Sequence, residues 1–157
     1  MKGRHRFISN IFLPKLYKMI SGTINMQDMR YLNLFGRITH VNTRHVLKYN
    51  QGIIFCVPKP LMSKAIGPKA RNIKKISEIL GKRTKVIPIP QGIDHIKQFV
   101  EAIVAPVTFK DIEVKGNQVT LTAGKQSKAA LLGRGKRRLN EMQHIIKNFF
   151  GKEFRII

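Results

Sequence analysis

The chain has 157 residues, 43% of them hydrophobic, enough for one domain or two small ones with a real core. Its 30 Lys and Arg against 8 Asp and Glu leave a formal charge of +22, which excludes an ordinary balanced surface and points to a polyanion, nucleic acid before an anionic membrane. A lone cysteine, Cys56, excludes an intrachain disulfide and fits a reducing compartment, and no apolar stretch approaches the length of a membrane span.

Residues 1–27 are basic and free of acid. They read as a flexible basic arm, or as a short helix across Leu16 to Ile20. The run Ile11-Phe12-Leu13 is too short for a signal-peptide core. Asp28 is a good N-cap for a helix carrying Leu32, Phe35 and Ile38 and ending near His40. Arg44 to Tyr49 and Ile53 to Val57 read as strands around an Asn50-Gln51-Gly52 turn. Leu61 to Ile66 is a short helix. After a glycine turn, helix resumes at Arg71 with Ile73, Ile76, Ile79 and Leu80 on one face, and Gly81 ends it. Lys85 to Ile87 is a strand. Pro88, Pro90 and Gly92 mark a short linker.

The pattern then repeats. Asp94 caps a helix with Ile96, Phe99, Val100 and Ile103. Val107, Phe109, Ile112 and Val114 fit an irregular strand, and Val119 to Thr122 follows after a turn at Lys115-Gly116-Asn117. Lys125 to Leu132 is a short helix that meets a second glycine turn. Leu139, Met142, Ile145, Ile146 and Phe149 mark the next helix, and Phe154 to Ile157 closes as a strand. Gly67 aligns with Gly133, Ile76 with Met142, Ile79 with Ile145, and Val86-Ile87 with Ile156-Ile157. The offset rises from 66 to 70, so the second copy has four additional residues, about one helical turn.

Each turn joins a helix end to a basic helix start: Ala65-Ile66-Gly67-Pro68-Lys69-Ala70-Arg71 and Leu131-Leu132-Gly133-Arg134-Gly135-Lys136-Arg137. Backbone N–H groups and the positive end of a helix dipole suit a phosphate at such a place. Both turns lie in acid-free windows, since no Asp or Glu occurs between Asp28 and Glu78 or between Glu113 and Glu141. A cation in the first turn of a helix opposes the dipole, and a bound anion offsets that cost. The candidate phosphate contacts are Gly67, Pro68, Lys69, Ala70 and Arg71 with Lys64 and Lys74 on the rim, and Gly133, Arg134, Gly135, Lys136 and Arg137. Lys75 extends the first rim. The five histidines are scattered, the carboxylates form no acid/base pair, and no Ser-His-Asp order with a supporting motif is visible. The residues therefore point to no metal, no cofactor and no enzyme.

A helix–Gly-x-x-Gly–helix unit on a three-stranded sheet resembles the KH domain. With a helix and hairpin before the motif and one strand after it, the order is similar to the type II arrangement. Two such units in a chain of this size resemble the archaeal NusA-like transcription factors, over roughly residues 28–157. The resemblance implies an α+β fold of two tandem type II KH-like domains, at 28–90 and 91–157. It implies single-stranded RNA in a groove beside the loop, with about four nucleotides clamped by their backbone. It further implies action in elongation, termination or antitermination through nascent RNA and RNA polymerase, as a cytoplasmic monomer without a membrane partner. The alternative reading is a KH-fold ribosomal or ribosome-assembly protein on rRNA, which the basic arm favours. Both motifs depart from the family pattern at the final glycine, where Ala70 and Lys136 stand. Ala70 costs little if its φ is negative; the second turn is open to a register shift with Gly133 and Gly135 as its flexible points.

Overall fold

The computed structural model describes residues 25–157. The expected basic arm, apart from Asn25 to Gln27, and the helix across Leu16 to Ile20 lie outside the described residues. The first unit comprises α1 (Met26–Thr39), β1 (His45–Tyr49), β2 (Gly52–Val57), α2 (Met62–Ile66), α3 (Arg71–Leu80) and β3 (Thr84–Pro88). The second comprises α4 (Ile96–Val104), β4 (Asp111–Lys115), β5 (Gln118–Thr122), α5 (Lys125–Leu132), α6 (Arg137–Phe150) and β6 (Glu153–Ile156). Each is α+β in the type II KH order, with a three-stranded sheet packed with helices.

The sheets have orders β1-β2-β3 and β4-β5-β6. In each, the hairpin is antiparallel and the closing strand pairs in parallel with the middle one. The register supports the repeat alignment independently. Val86 lies opposite Phe55 and Ile156 opposite Leu121, which are equivalent positions of the two sheets. The four additional residues lie in the second post-turn helix, since α3 has 10 residues and α6 has 14.

Every residue of β2 is buried, on both faces. Ile53, Phe55 and Val57 face a core with Tyr31 and Phe35 of α1, Ala65 of α2 and Ile76 of α3. Ile54 and Cys56 face the other way, into a core shared with α4, β5 and α6. The layers thus run helices, sheet, helices, sheet, and α4 and α6 lie between the two sheets. This explains the unbroken apolar run Ile53-Ile54-Phe55-Cys56-Val57, which a strand covered on one face would not need. Burial also pushes the Cys56 thiol pKa up, which keeps it protonated and unreactive. Among the described residues the second sheet is covered on one face only: Val119 and Leu121 of β5 are buried and alternate with partly exposed Gln118, Thr120 and Thr122.

Four local expectations are corrected. The cap of α1 is Asn25, whose Oδ1 accepts the Asp28 N–H at 2.9 Å; Asp28 sits in the first turn with its carboxylate buried 3.2 Å from Lys48 Nζ. Asp94 lies within a tight turn at Ile93–His95, and α4 begins at Ile96 without a side-chain cap. Val107 and Phe109 belong to no strand; they pack on the core before β4 starts at Asp111. Ile79 is 54% exposed, because no sheet among the described residues covers that flank of α3, whereas its equivalent Ile145 is buried on α6 between two sheets.

Candidate nucleic-acid interface

The two glycine turns have one backbone conformation. Gly67 has φ 79°, ψ 165° and Gly133 has φ 74°, ψ 172°. Lys69 and Ala70 follow at φ 55° and 59°, Gly135 and Lys136 at 62° and 60°. There is no register shift, and Ala70 has positive φ. The departures from the family motif now have a physical account. The first position has positive φ with ψ near 180°, a region essentially restricted to glycine. The last is ordinary left-handed helix, which other residues enter at about 1–2 kcal/mol. Alanine and lysine are therefore tolerated at the final position and glycine is required at the first.

Each turn closes on itself. The Ala70 N–H donates to Gly67 O and the Lys136 N–H to Gly133 O, both at 3.1 Å. The N–H of Arg71 donates to Pro68 O, and that of Arg137 to Arg134 O. These four donors are spent inside the turns, and Pro68 has none, so fewer amides face outward than the motif alone suggests. Neither α3 nor α6 has a side-chain cap, which leaves their positive ends without a neutralising partner side chain. The cations therefore carry more of the electrostatics. Lys64, Lys69, Arg71, Lys74, Arg134, Lys136 and Arg137 are all exposed. None of them joins the five ion pairs among the described residues, which engage Lys48, Lys97, Lys115, Arg138 and Lys147 instead.

A groove of about 730 Å³ runs from Ile73, Lys74 and Ser77 of α3, past Thr84 and Lys85 of β3, to Gly133 and Arg138 of the second turn. Its floor is apolar, with Ile53, Ile54, Ile103 and Val104. Of the expected contacts, Lys74 and Gly133 line this groove. Arg71 lies instead in a separate cup with Arg37 and Lys75. The remaining expected contacts line neither and stand at the turns, except Lys64, which lies on α2.

Three groove residues escape the motif. Arg138 packs over Gly133, just as its repeat equivalent Asn72 packs over Gly67; the repeat alignment was the available signal. Asn72 Nδ2 also donates to Lys64 O at 3.1 Å, bracing the first turn. Arg138 Nη1 donates to Glu141 Oε1 at 2.6 Å, and the same oxygen accepts the Asn50 N–H at 3.0 Å. Arg83 Nη2 donates to Asn50 O at 3.0 Å. This chain of bonds ties the first hairpin to the second turn. Lys85 Nζ donates to Ala102 O at 3.0 Å and Ala105 O at 3.3 Å, holding the C-terminal carbonyls of α4 against β3. Nothing in the local sequence marks Arg83 or Lys85 beyond their charge.

His45 of β1 lies against Phe149 of α6, with ring centroids 5.4 Å apart. Its Nδ1 is buried without a protein hydrogen-bond partner among the described residues. Burial, then the Arg44 charge, lowers its pKa below the ordinary histidine value. Among the described residues, no three His, Cys, Asp or Glu side chains are grouped to hold a metal, and no helix is long and apolar enough to cross a membrane.

No protein-family model matches the chain. It is 28% identical over 100 residues to the probable transcription termination protein NusA of Methanococcus vannielii, spanning 62% of this chain and 56% of that relative. It is 24% identical over 107 residues to a protein of the same description from Halococcus morrhuae, spanning 68% and 75%. The chain therefore matches little more than half the length of the first of these relatives. The crystal structure of APE1850 superposes with a TM-score of 0.60 at 25% identity, over 85% of this chain and 99% of that one.

Proposed function

We propose that this relative of the archaeal NusA-like proteins binds single-stranded RNA through both glycine turns. In this reading it acts as a transcription factor in elongation, termination or antitermination, through nascent RNA and RNA polymerase. Residues 28–90 and 91–157 serve as its two KH-like domains, within a cytoplasmic monomer. No catalytic chemistry is assigned to it.

The observation that carries the reading is the shared conformation of the two turns, each presenting unpaired cations at an uncapped helix start. Lys69 and Arg134 stand at the exposed edges of their turns, where a long cationic side chain reaches a passing phosphate. Lys74 supplies charge along the groove between them, and its apolar floor accepts base faces. Phosphate contacts of this kind set affinity more than sequence preference. The names of the relatives supply the transcriptional setting.

The test is the double variant Lys69→Asp, Arg134→Asp, measured by fluorescence anisotropy on single-stranded RNA with circular dichroism as a folding control. Affinity is expected to be lost with the spectrum unchanged. Undiminished affinity would refute the role of the turns. Crosslinking in cells with sequencing of the bound RNA is expected to enrich nascent transcripts; enrichment of mature rRNA alone would overturn the transcriptional assignment.

A further inference from the structure

A cup of about 500 Å³ lies between the last turn of α1 and the first turns of α3, lined by Arg37, Ile38, His40, Arg71, Asn72 and Lys75. No carboxylate lines it. Between residues 25 and 90 the acids are Asp28 and Glu78; the first is buried beside Lys48, and the second lines the groove.

The cup and the groove occupy different flanks of α3. Arg71, Asn72 and Lys75 line the cup, whereas Ile73, Lys74, Ser77 and Glu78 line the groove. The two hollows share no lining residue. Helix electrostatics account for Arg37, which sits at the negative end of α1. They do not account for Arg71, a cation at the positive end of α3. Arg37, Arg71, Lys75 and the exposed His40 imidazole converge here, and none of the three permanent charges joins an ion pair among the described residues; an anion would relieve their repulsion.

We propose that this cup is a second phosphate site, which takes a phosphodiester of the bound RNA outside the stretch held in the groove. The first unit then grips RNA on both flanks of one helix. The proposal rests on the RNA-binding reading above.

The experiment compares an RNA of about four to six nucleotides, enough for one groove, with one of about 16, on the wild type and on Arg37→Gln, Lys75→Gln, across a salt series. Both substituted positions are exposed, and thermal melts check folding. The double variant is expected to bind the short RNA as the wild type does. On the long RNA it is expected to lose about tenfold in affinity, with the slope of log affinity against log salt shallower by about 0.7 per lost phosphate. Equal losses on both RNAs, or no loss on either, would overturn the cup while leaving the groove standing. Failure of the wild type to bind either RNA would sink the RNA-binding reading itself and the cup with it.

Discussion

Replacing Gly133 with alanine is a sharp test of the turn geometry. At φ 74°, ψ 172° a non-glycine residue costs about 1–3 kcal/mol in backbone strain. The new Cβ would stand 2.6 Å from Arg138 Cγ and 2.9 Å from Arg138 N. The side chain can rotate away, but the backbone nitrogen opens α6 and cannot. Moving Arg138 also disturbs its bond to Glu141. Together these effects set the loss at about 2–4 kcal/mol. For a chain of this size that is a fall in Tm of roughly 5–15 °C. Gly135→Ala is the control. Its φ is 62° and nothing lies within 4 Å of its added Cβ. Left-handed strain of about 1–2 kcal/mol is there partly offset by the stiffer unfolded chain, at about 0.4–1 kcal/mol. By the same logic Ala70→Gly is neutral or slightly stabilising. Equal urea midpoints for Gly133→Ala and Gly135→Ala would refute the claim that the first position alone demands glycine.

Two further outcomes follow from the contacts between the units. His45 has a folded-state pKa below its unfolded value, so the unfolded chain binds more protons in that window and stability falls as pH drops from about 6.5 toward the folded pKa. His45→Phe should flatten the dependence of the urea midpoint between pH 7.5 and 5, and an unchanged profile would show that this group does not drive it. Lys85→Met removes the ammonium from the α4 carbonyls, which should lower stability by about 1–2 kcal/mol in denaturant titration; no change would mean that the contact is dispensable.

Much of the architecture was legible because glycine and proline punctuate the chain and because the pattern occurs twice. Lys125–Leu132 emerged with its expected boundaries, and the parallel pairing of β6 supports the shifted offset. Periodicity also showed that Ile79 and Ile145 share a phase, but phase does not say what lies opposite. Only the stacking of one unit on the other leaves Ile79 in water and covers Ile145. The turns were visible as motifs, yet residue type gave no sign that Ala70 and Lys136 hold positive φ. Asn25 and Asp28, three positions apart and of equal capping strength, compete in the sequence for the cap that Asn25 fills. Arg83 and Lys85 were invisible for a different reason: their partners come from distant stretches of chain.

The first sheet is the floor of one unit and the ceiling of the other. Tyr49, Ile54, Cys56 and Ile87 complete an apolar interior whose other walls are α4, α6 and the second sheet. The C-terminal half is consequently unfinished by itself, and its excision would bare a greasy face rather than liberate a module. The two turns are held at a set spacing and angle, like jaws of one fixed gauge. On the RNA-binding reading proposed above, a polynucleotide meeting them would encounter a single template to whose curvature the strand conforms.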